Sequence, residues 1–347
     1  MPSMNATRPD RAQETGGDPH VTRVRLQLRL LAAGMRSLPI EIRRFGVIWQ
    51  KLYAGIGGGG FAPDEAVDRR WPHGIQEPIR GQHGLRLRLD LQNWADRRSY
   101  FNGRYYQPDI SRLIETLLQP GDQYVDVGAN IGMTALLARS RIGSGGKGLA
   151  FEPNPPAFAR LKDHFELNGI TNFQLVPCAL ADRESVQVLY VPLGDLLLGT
   201  IVPEKAEGTT VEIRTVPADP YVVGFDPSTP TLIKIDVEGY EVQVLQGLRS
   251  LFAWPDVMLV IEIADAKLQR AGHSREELHA LLASFGPVAH TIHVRSSRWR
   301  KDLELRALPG PLEIEEYDAL FAKPGSTVYR TRVAPALNSL SVPNSGK

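Results

Sequence analysis

Asp126 is an acid set inside an apolar run, YVDVGANIG over residues 124–132, and Gly128, Asn130 and Gly132 follow it. Glycines at these positions allow a tight turn and a close backbone approach to a ligand, and Asn130 adds an amide where a helix opens. The run matches neither G-x-G-x-x-G, expected for a nicotinamide dinucleotide, nor a phosphate loop ending in Gly-Lys-Ser/Thr. An acid beside the helix start would repel a pyrophosphate but suits the cationic amino group of an amino-acid-like ligand. The ligand these residues imply is S-adenosylmethionine. Glu152, in AFEPN, comes 26 residues after Asp126, where an acid in doubly wound folds accepts hydrogen bonds from ribose hydroxyls. The plainer reading, that both acids only cap helices and shape turns, is disfavoured by the glycines and the order.

A second constellation is LIKIDVEGYE, residues 232–241, which sets Lys234, Asp236 and Glu238 in and after another apolar run. Alternation places all three on one strand face, where they could neutralise one another at its carboxyl end. A purely structural salt-bridge cluster is the alternative. If these groups take part in catalysis, they must align a reacting group and remove its proton. Asp236 or Glu238 is then the nearest base, Glu262 at the end of the next strand is third, and Lys234 could hold one of them ionised. His273, His279, His290 and His293 read as structural or surface residues, and no spacing demands a metal.

Elements must hold these groups at one edge. Short apolar runs at Val125–Val127, Gly148–Phe151, Phe173–Val176, Leu232–Val237 and Val257–Ile263 read as buried strands, several of them continuous rather than alternating. Helical patterns fall between them at 131–140, 155–168, 240–252 and 275–285, the last with a capping box of Ser274 and Glu277 and with Gly286 at its end. The order is βαβ, an α/β, Rossmann-like, doubly wound and mostly parallel sheet with its site at the carboxyl ends of the strands.

The chain has 347 residues, 42% apolar and 23% charged, with 40 Lys and Arg against 39 Asp and Glu. That balance gives no signal for nucleic acid, and no apolar run is long enough to span a membrane. One cysteine, Cys178, excludes an intrachain disulfide and multi-cysteine metal sites, which fits a reducing, cytoplasmic setting. Residues 1–20 read as a disordered tail and 21–83 as a basic extension containing a glycine-rich linker at 55–60. Within the extension a strand is expected over 24–30 and a helix over 45–52. The segment 21–53 admits a packed lid or homodimer contact, or a peripheral contact with anionic lipid at the inner membrane face. Residues 84–333 form the catalytic domain in this reading, and 334–347 a loose tail.

DVGANIG followed by AFEPNP and KIDVEGYEVQVLQG, with Val257–Glu262 after them, resembles the FkbM family of S-adenosylmethionine-dependent methyltransferases over about residues 84–300. The resemblance implies a class I fold of seven strands with the last, around Thr327–Val333, inserted antiparallel. It implies O-methylation of a hydroxyl on a sugar, glycolipid, polyketide or related metabolite, so a small-molecule or glycan acceptor. Carried across, Asp126, Gly128, Asn130 and Gly132 match the cofactor loop, Glu152 the ribose acid, Ala179 and Asp182 the adenine side, and Asp236 and Glu238 the acidic motif beside the methyl group. Cys178 stands where an Asn is common, and TVPADPY at 215–221 replaces a Thr-Leu-Asp-like segment. Acceptor specificity is expected in loops around 190–225 and 295–325, Leu193–Thr200 first. A nicotinamide-dependent oxidoreductase and a non-catalytic adenosyl-binding module are the competing classes.

Overall fold

The computed structural model describes residues 30, 32–34, 74, 78–105, 107–192, 197–202, 208–296, 301–312 and 314–338. The expected tail 1–20, nearly all of the basic segment 21–53 and the glycine stretch 55–60 lie outside these described residues.

A short antiparallel pair, β1 (Ile79–Arg80) and β2 (Arg86–Leu87), precedes α1 (Trp94–Asn102) and α2 (Pro108–Leu117). The Asn93 side chain caps α1 by accepting from the backbone N–H groups of Ala95 and Asp96, and Pro108 opens α2 with its φ already set for a helix. Strands and helices then alternate: β3 (Gln123–Val127), α3 (Met133–Ile142), β4 (Lys147–Phe151), α4 (Pro155–Leu167) and β5 (Phe173–Val176). Three strands follow, β6 (Ala179–Leu180), β7 (Ser185–Pro192) and β8 (Gly208–Val216), forming a small sheet of their own in the order β6-β8-β7. The main sheet resumes with β9 (Thr231–Ile235), α5 (Glu241–Gly247), β10 (Val257–Ala264), α6 (Asp265–Arg270) and α7 (Arg275–Ser284). It ends with β11 (Val288–Ser296), β12 (Lys301–Leu308) and β13 (Glu316–Ala322), before α8 (Ala334–Asn338).

The main sheet has eight strands in the order β12-β11-β13-β10-β9-β3-β4-β5, with β10, β9, β3, β4 and β5 parallel and β13 antiparallel to β10. Period-two alternation splits its side chains between two cores. Tyr124, Ala150, Leu232 and Val260 pack with Leu113, Leu136 and Leu161 of α2, α3 and α4. Val125, Leu149, Ile233 and Ile261 pack with Leu245, Leu278 and Leu282 of α5 and α7. Both faces are covered, which is why these strands read as continuous apolar runs, and each fully buried leucine contributes about 1.5–3 kcal/mol.

Two expectations about the end of the sheet are corrected. The inserted antiparallel strand is β13, whereas Tyr329–Val333 is a π-helical turn running into α8. The β-branched residues of TVYRTRV suggest a strand, but Arg332 ties the segment to the domain, donating to Leu117 O at 2.9 Å and ion-pairing with buried Asp122. Among the described residues the sheet also has eight strands rather than seven, β11 and β12 forming an antiparallel pair at one edge. Residues 334–338, expected to be loose, are helical.

Candidate active site

Strand register assembles the charged groups. β3 lies beside β9 with Asp126 opposite Lys234, and β10 lies beside β13 with Glu262 opposite Asp318. These ionisable residues share the parity of Tyr124, Leu232, Val260 and Leu320, so they point to one face of the sheet, toward its carboxyl edge. Lys234 donates to Asp236 at 3.0 Å and lies 4.0 Å from Asp126 Oδ1. Asp126 is fully buried; its Oδ2 accepts from Thr134 at 2.7 Å, while Oδ1 makes no hydrogen bond. Burial raises its pKa, and the Lys234 charge pulls it back.

The loop after β3 takes three left-handed residues in alternation: Gly128 (φ 78), Asn130 (φ 51) and Gly132 (φ 87). A Cβ on Gly128 would sit 1.9 Å from the carbonyl oxygen of Asp236, and one on Gly132 2.4 Å from Leu161 Cδ1. The first glycine therefore lets the loop touch the acidic motif, and the second lets α3 pack on α4. The Asn130 side chain tolerates its positive φ, and its Nδ2 donates to Leu197 O at 3.2 Å.

Glu152 follows β4 and accepts the backbone N–H groups of Asn130 at 2.7 Å and Asn154 at 2.8 Å, one on each oxygen. Each oxygen keeps acceptor capacity for a further hydroxyl. Burial pushes its pKa up to about 7 against the pull of those two N–H groups.

At the other end, Glu238 lies in the left-handed region (φ 57), an uncommon conformation for a residue with a side chain that costs on the order of 1–3 kcal/mol. Thr200 Oγ1 donates to its carbonyl at 2.9 Å, and Lys267 pairs with its carboxylate at 2.8 Å. This turn breaks the expected alternation, so the neutralisation expected among Lys234, Asp236 and Glu238 is divided: Lys234 serves Asp236 and Asp126, and Lys267 serves Glu238 and Glu262. Glu262 is pushed well above the carboxylate range by burial and then by the Asp236 charge, and burial raises Glu238 as well.

These groups line one cavity of about 410 Å³, the scale of a small-molecule site. Gly128, Asn130, Glu152, Ala179, Lys234, Asp236, Glu238 and Glu262 are all on its wall. Asp126 and Gly132 support it from behind. Asp182 is exposed, beside Arg183 at 3.5 Å, and is not part of the wall. Leu197, Leu198 and Gly199 are on the wall, within the stretch expected to shape specificity. His273, His279, His290 and His293 bond to Gln243, Tyr317, Tyr329 and Thr291 and are off the wall.

Four contributors carried no signal in the sequence. Lys267 and Glu316 come from α6 and β13, and Trp94 and Tyr105 from the segment around α1; all line the cavity. Only the pairing of β13 with β10 brings Glu316 to Lys267, at 3.5 Å. Glu241 could have been suspected as an acid in an apolar helix start; it is buried, accepts from Gly239 N at 2.9 Å and is pushed up to about 7 by burial.

A parallel sheet with one antiparallel inserted strand, a glycine turn after β3, an acid after β4 and an acidic motif after β9 together define a class I methyltransferase domain. Residues 126–288 match the methyltransferase FkbM domain family. S-adenosylmethionine is the cofactor of methyltransferase domains of this kind. The chain is 29% identical over 145 residues to the hexuronic acid methyltransferase AglP of Haloferax volcanii, across 42% of this chain and 57% of that protein. It thus spans little more than half the length of that relative. Among solved structures, a methyltransferase FkbM from Methylobacillus flagellatus is 16% identical with a TM-score of 0.33, covering 67% of this chain and 54% of that one. An S-adenosylmethionine-dependent O-methyltransferase from Thermotoga maritima is 14% identical with a TM-score of 0.34, covering 74% of this chain and 81% of that one.

Proposed function

We propose that the protein transfers a methyl group from S-adenosylmethionine to a hydroxyl oxygen of a sugar, a glycan or a related secondary metabolite. The observation that carries the reading is the contact of Gly128 with the backbone of Asp236, which sets the cofactor loop against the acidic motif on one cavity wall. The residues present suit the cofactor. Gly128 leaves room that a side chain would fill, Glu152 keeps acceptor capacity for ribose hydroxyls, and Asp126 stands behind the wall beside Lys234 rather than on it. The relative that methylates a hexuronic acid supports a carbohydrate acceptor.

S-adenosylmethionine, when bound, supplies an electrophilic methyl carbon on a sulfonium. The chain's own task is to seat an acceptor hydroxyl in the cavity and to receive its proton. Asp236 suits that task best. It is on the wall and paired with Lys234, whereas Glu238 and Glu262 are both bound by Lys267. A positioned carboxylate of this kind typically contributes ~10²–10⁴-fold.

Calorimetric titration with S-adenosylmethionine and S-adenosylhomocysteine, with NAD as control, tests the reading. Micromolar binding of both adenosyl ligands and none of NAD is expected. NAD binding alone would select an oxidoreductase instead.

A further inference from the structure

Asp236 and Glu238 follow β9 and Glu262 stands on β10, and one oxygen of each lies within 4.8 Å of the others. That spacing is the spacing of oxygen ligands around a divalent cation. A different cation is already there. The Lys267 ammonium, from the first turn of α6, lies 2.8 Å from Glu238, 2.9 Å from Glu262 and 3.5 Å from Glu316. Burial alone would lower its pKa, but the charges of Glu262 and Glu238 outweigh burial and hold it above the usual lysine range. The backbone is shaped around this contact as well. Gly239 (φ 106) passes so close to α6 that a Cβ there would lie 2.8 Å from Lys267 O, and Glu238 before it is held left-handed.

We propose that Lys267 is the built-in cation of this cluster, a positioning residue whose ammonium occupies the seat a divalent ion would otherwise take. It fastens Glu238 and Glu262 to α6, and in doing so it leaves Asp236 to the acceptor hydroxyl. Only that last clause rests on the methyltransferase reading; the seat itself does not. An ammonium suits the seat because it delivers one positive charge through hydrogen bonds to Glu238 and Glu262 and an ion pair with Glu316, without the near-ideal geometry a small divalent ion demands.

Removing the ammonium should turn the cluster into a metal site. Mn²⁺ is titrated into the full chain, without cofactor or acceptor, and followed by electron paramagnetic resonance. K267A and K267M are expected to bind one Mn²⁺ at least tenfold more tightly than the wild type or K267R, and adding E238Q to K267A should abolish the gain. K267M keeps the apolar stem of the side chain and stands in should K267A fail to fold, as checked by circular dichroism. Equal Mn²⁺ affinity in the wild type and K267A would overturn the proposal, since metal would then share the cluster with the lysine. So would the absence of any gain in a folded variant. In turnover, K267R should retain at least tenfold more activity than K267M, a difference a merely space-filling role would not produce. Failure of the wild type to bind S-adenosylmethionine would defeat the methyltransferase reading but leave the Mn²⁺ outcome intact.

Discussion

Substituting Gly128 by Ala tests the join between the cofactor loop and the acidic motif. The added Cβ would lie 1.9 Å from Asp236 O, 3.0 Å from Asp236 C and 3.3 Å from Val237 Cγ1. Two backbones must therefore part by about 1 Å to reach even the tightest tolerable contact, and the hydrogen bond from Asp236 N to Val127 O at 3.0 Å resists the separation. Forcing an L-residue to hold φ 78 adds ~1–2 kcal/mol, and the overlap ~1–3 kcal/mol. The sum, about 2–5 kcal/mol, corresponds at ~2–4 °C per kcal/mol to a fall in Tm of roughly 4–20 °C. The same displacement moves Asp236 away from the cofactor loop, and misplacement by about 1 Å can cost ~10²-fold in rate. Thermal melts with and without S-adenosylhomocysteine, together with calorimetric titration, read both effects. An alanine variant with unchanged Tm and unchanged S-adenosylhomocysteine affinity would show that loop and motif are not in contact, and the argument for their shared site would fail.

Asp236→Asn should lower kcat by ~10²–10⁴-fold while leaving the Kd for S-adenosylhomocysteine within a few-fold; a parallel loss of binding would make Asp236 a cofactor ligand instead. Glu152→Ala should weaken cofactor binding about tenfold to a hundredfold, from loss of ~1.5–3 kcal/mol, and unchanged calorimetric affinity would remove it from the ribose role. Glu241 titrates near 4.5 when unfolded and near 7 when folded, because burial penalises its charge and its Oε2 has no hydrogen-bond partner. The unfolded chain thus binds fewer protons between those values, and the wild type loses up to about 3 kcal/mol of stability as pH rises through that window. Urea denaturation should show Glu241→Gln gaining that much on the wild type between pH 4 and pH 8, and a pH-independent difference would contradict the assigned burial. Arg332→Met leaves Asp122 buried without its counter-ion and should cost ~3–5 kcal/mol, partly recovered by adding Asp122→Asn, as read from thermal melts; no loss would mean that the C-terminal turn does not anchor the domain.

The α/β order, and those parts of the candidate site that depend on neighbours in the chain, were legible in the sequence. Continuous apolar runs are the local trace of strands buried on both faces, so β3, β4, β5, β9 and β10 were legible to within a residue or two. Gly128, Gly132 and Glu152 were legible because a turn at a strand end demands particular residue types at fixed offsets. Which charges neutralise which follows from contacts between distant parts of the chain. The left-handed turn at Glu238 hands that carboxylate to Lys267, and the pairing of β13 with β10 brings Glu316 to the same ammonium from 49 positions along the chain. The strand expected at 327–333 failed for the same reason: β-branched residues favour extension locally, while the pairing of Arg332 with Asp122 is a contact between positions far apart in the chain. Local propensity is written in a few consecutive residues, whereas ion-pair partners are chosen by strand register and burial, which no stretch of sequence contains on its own.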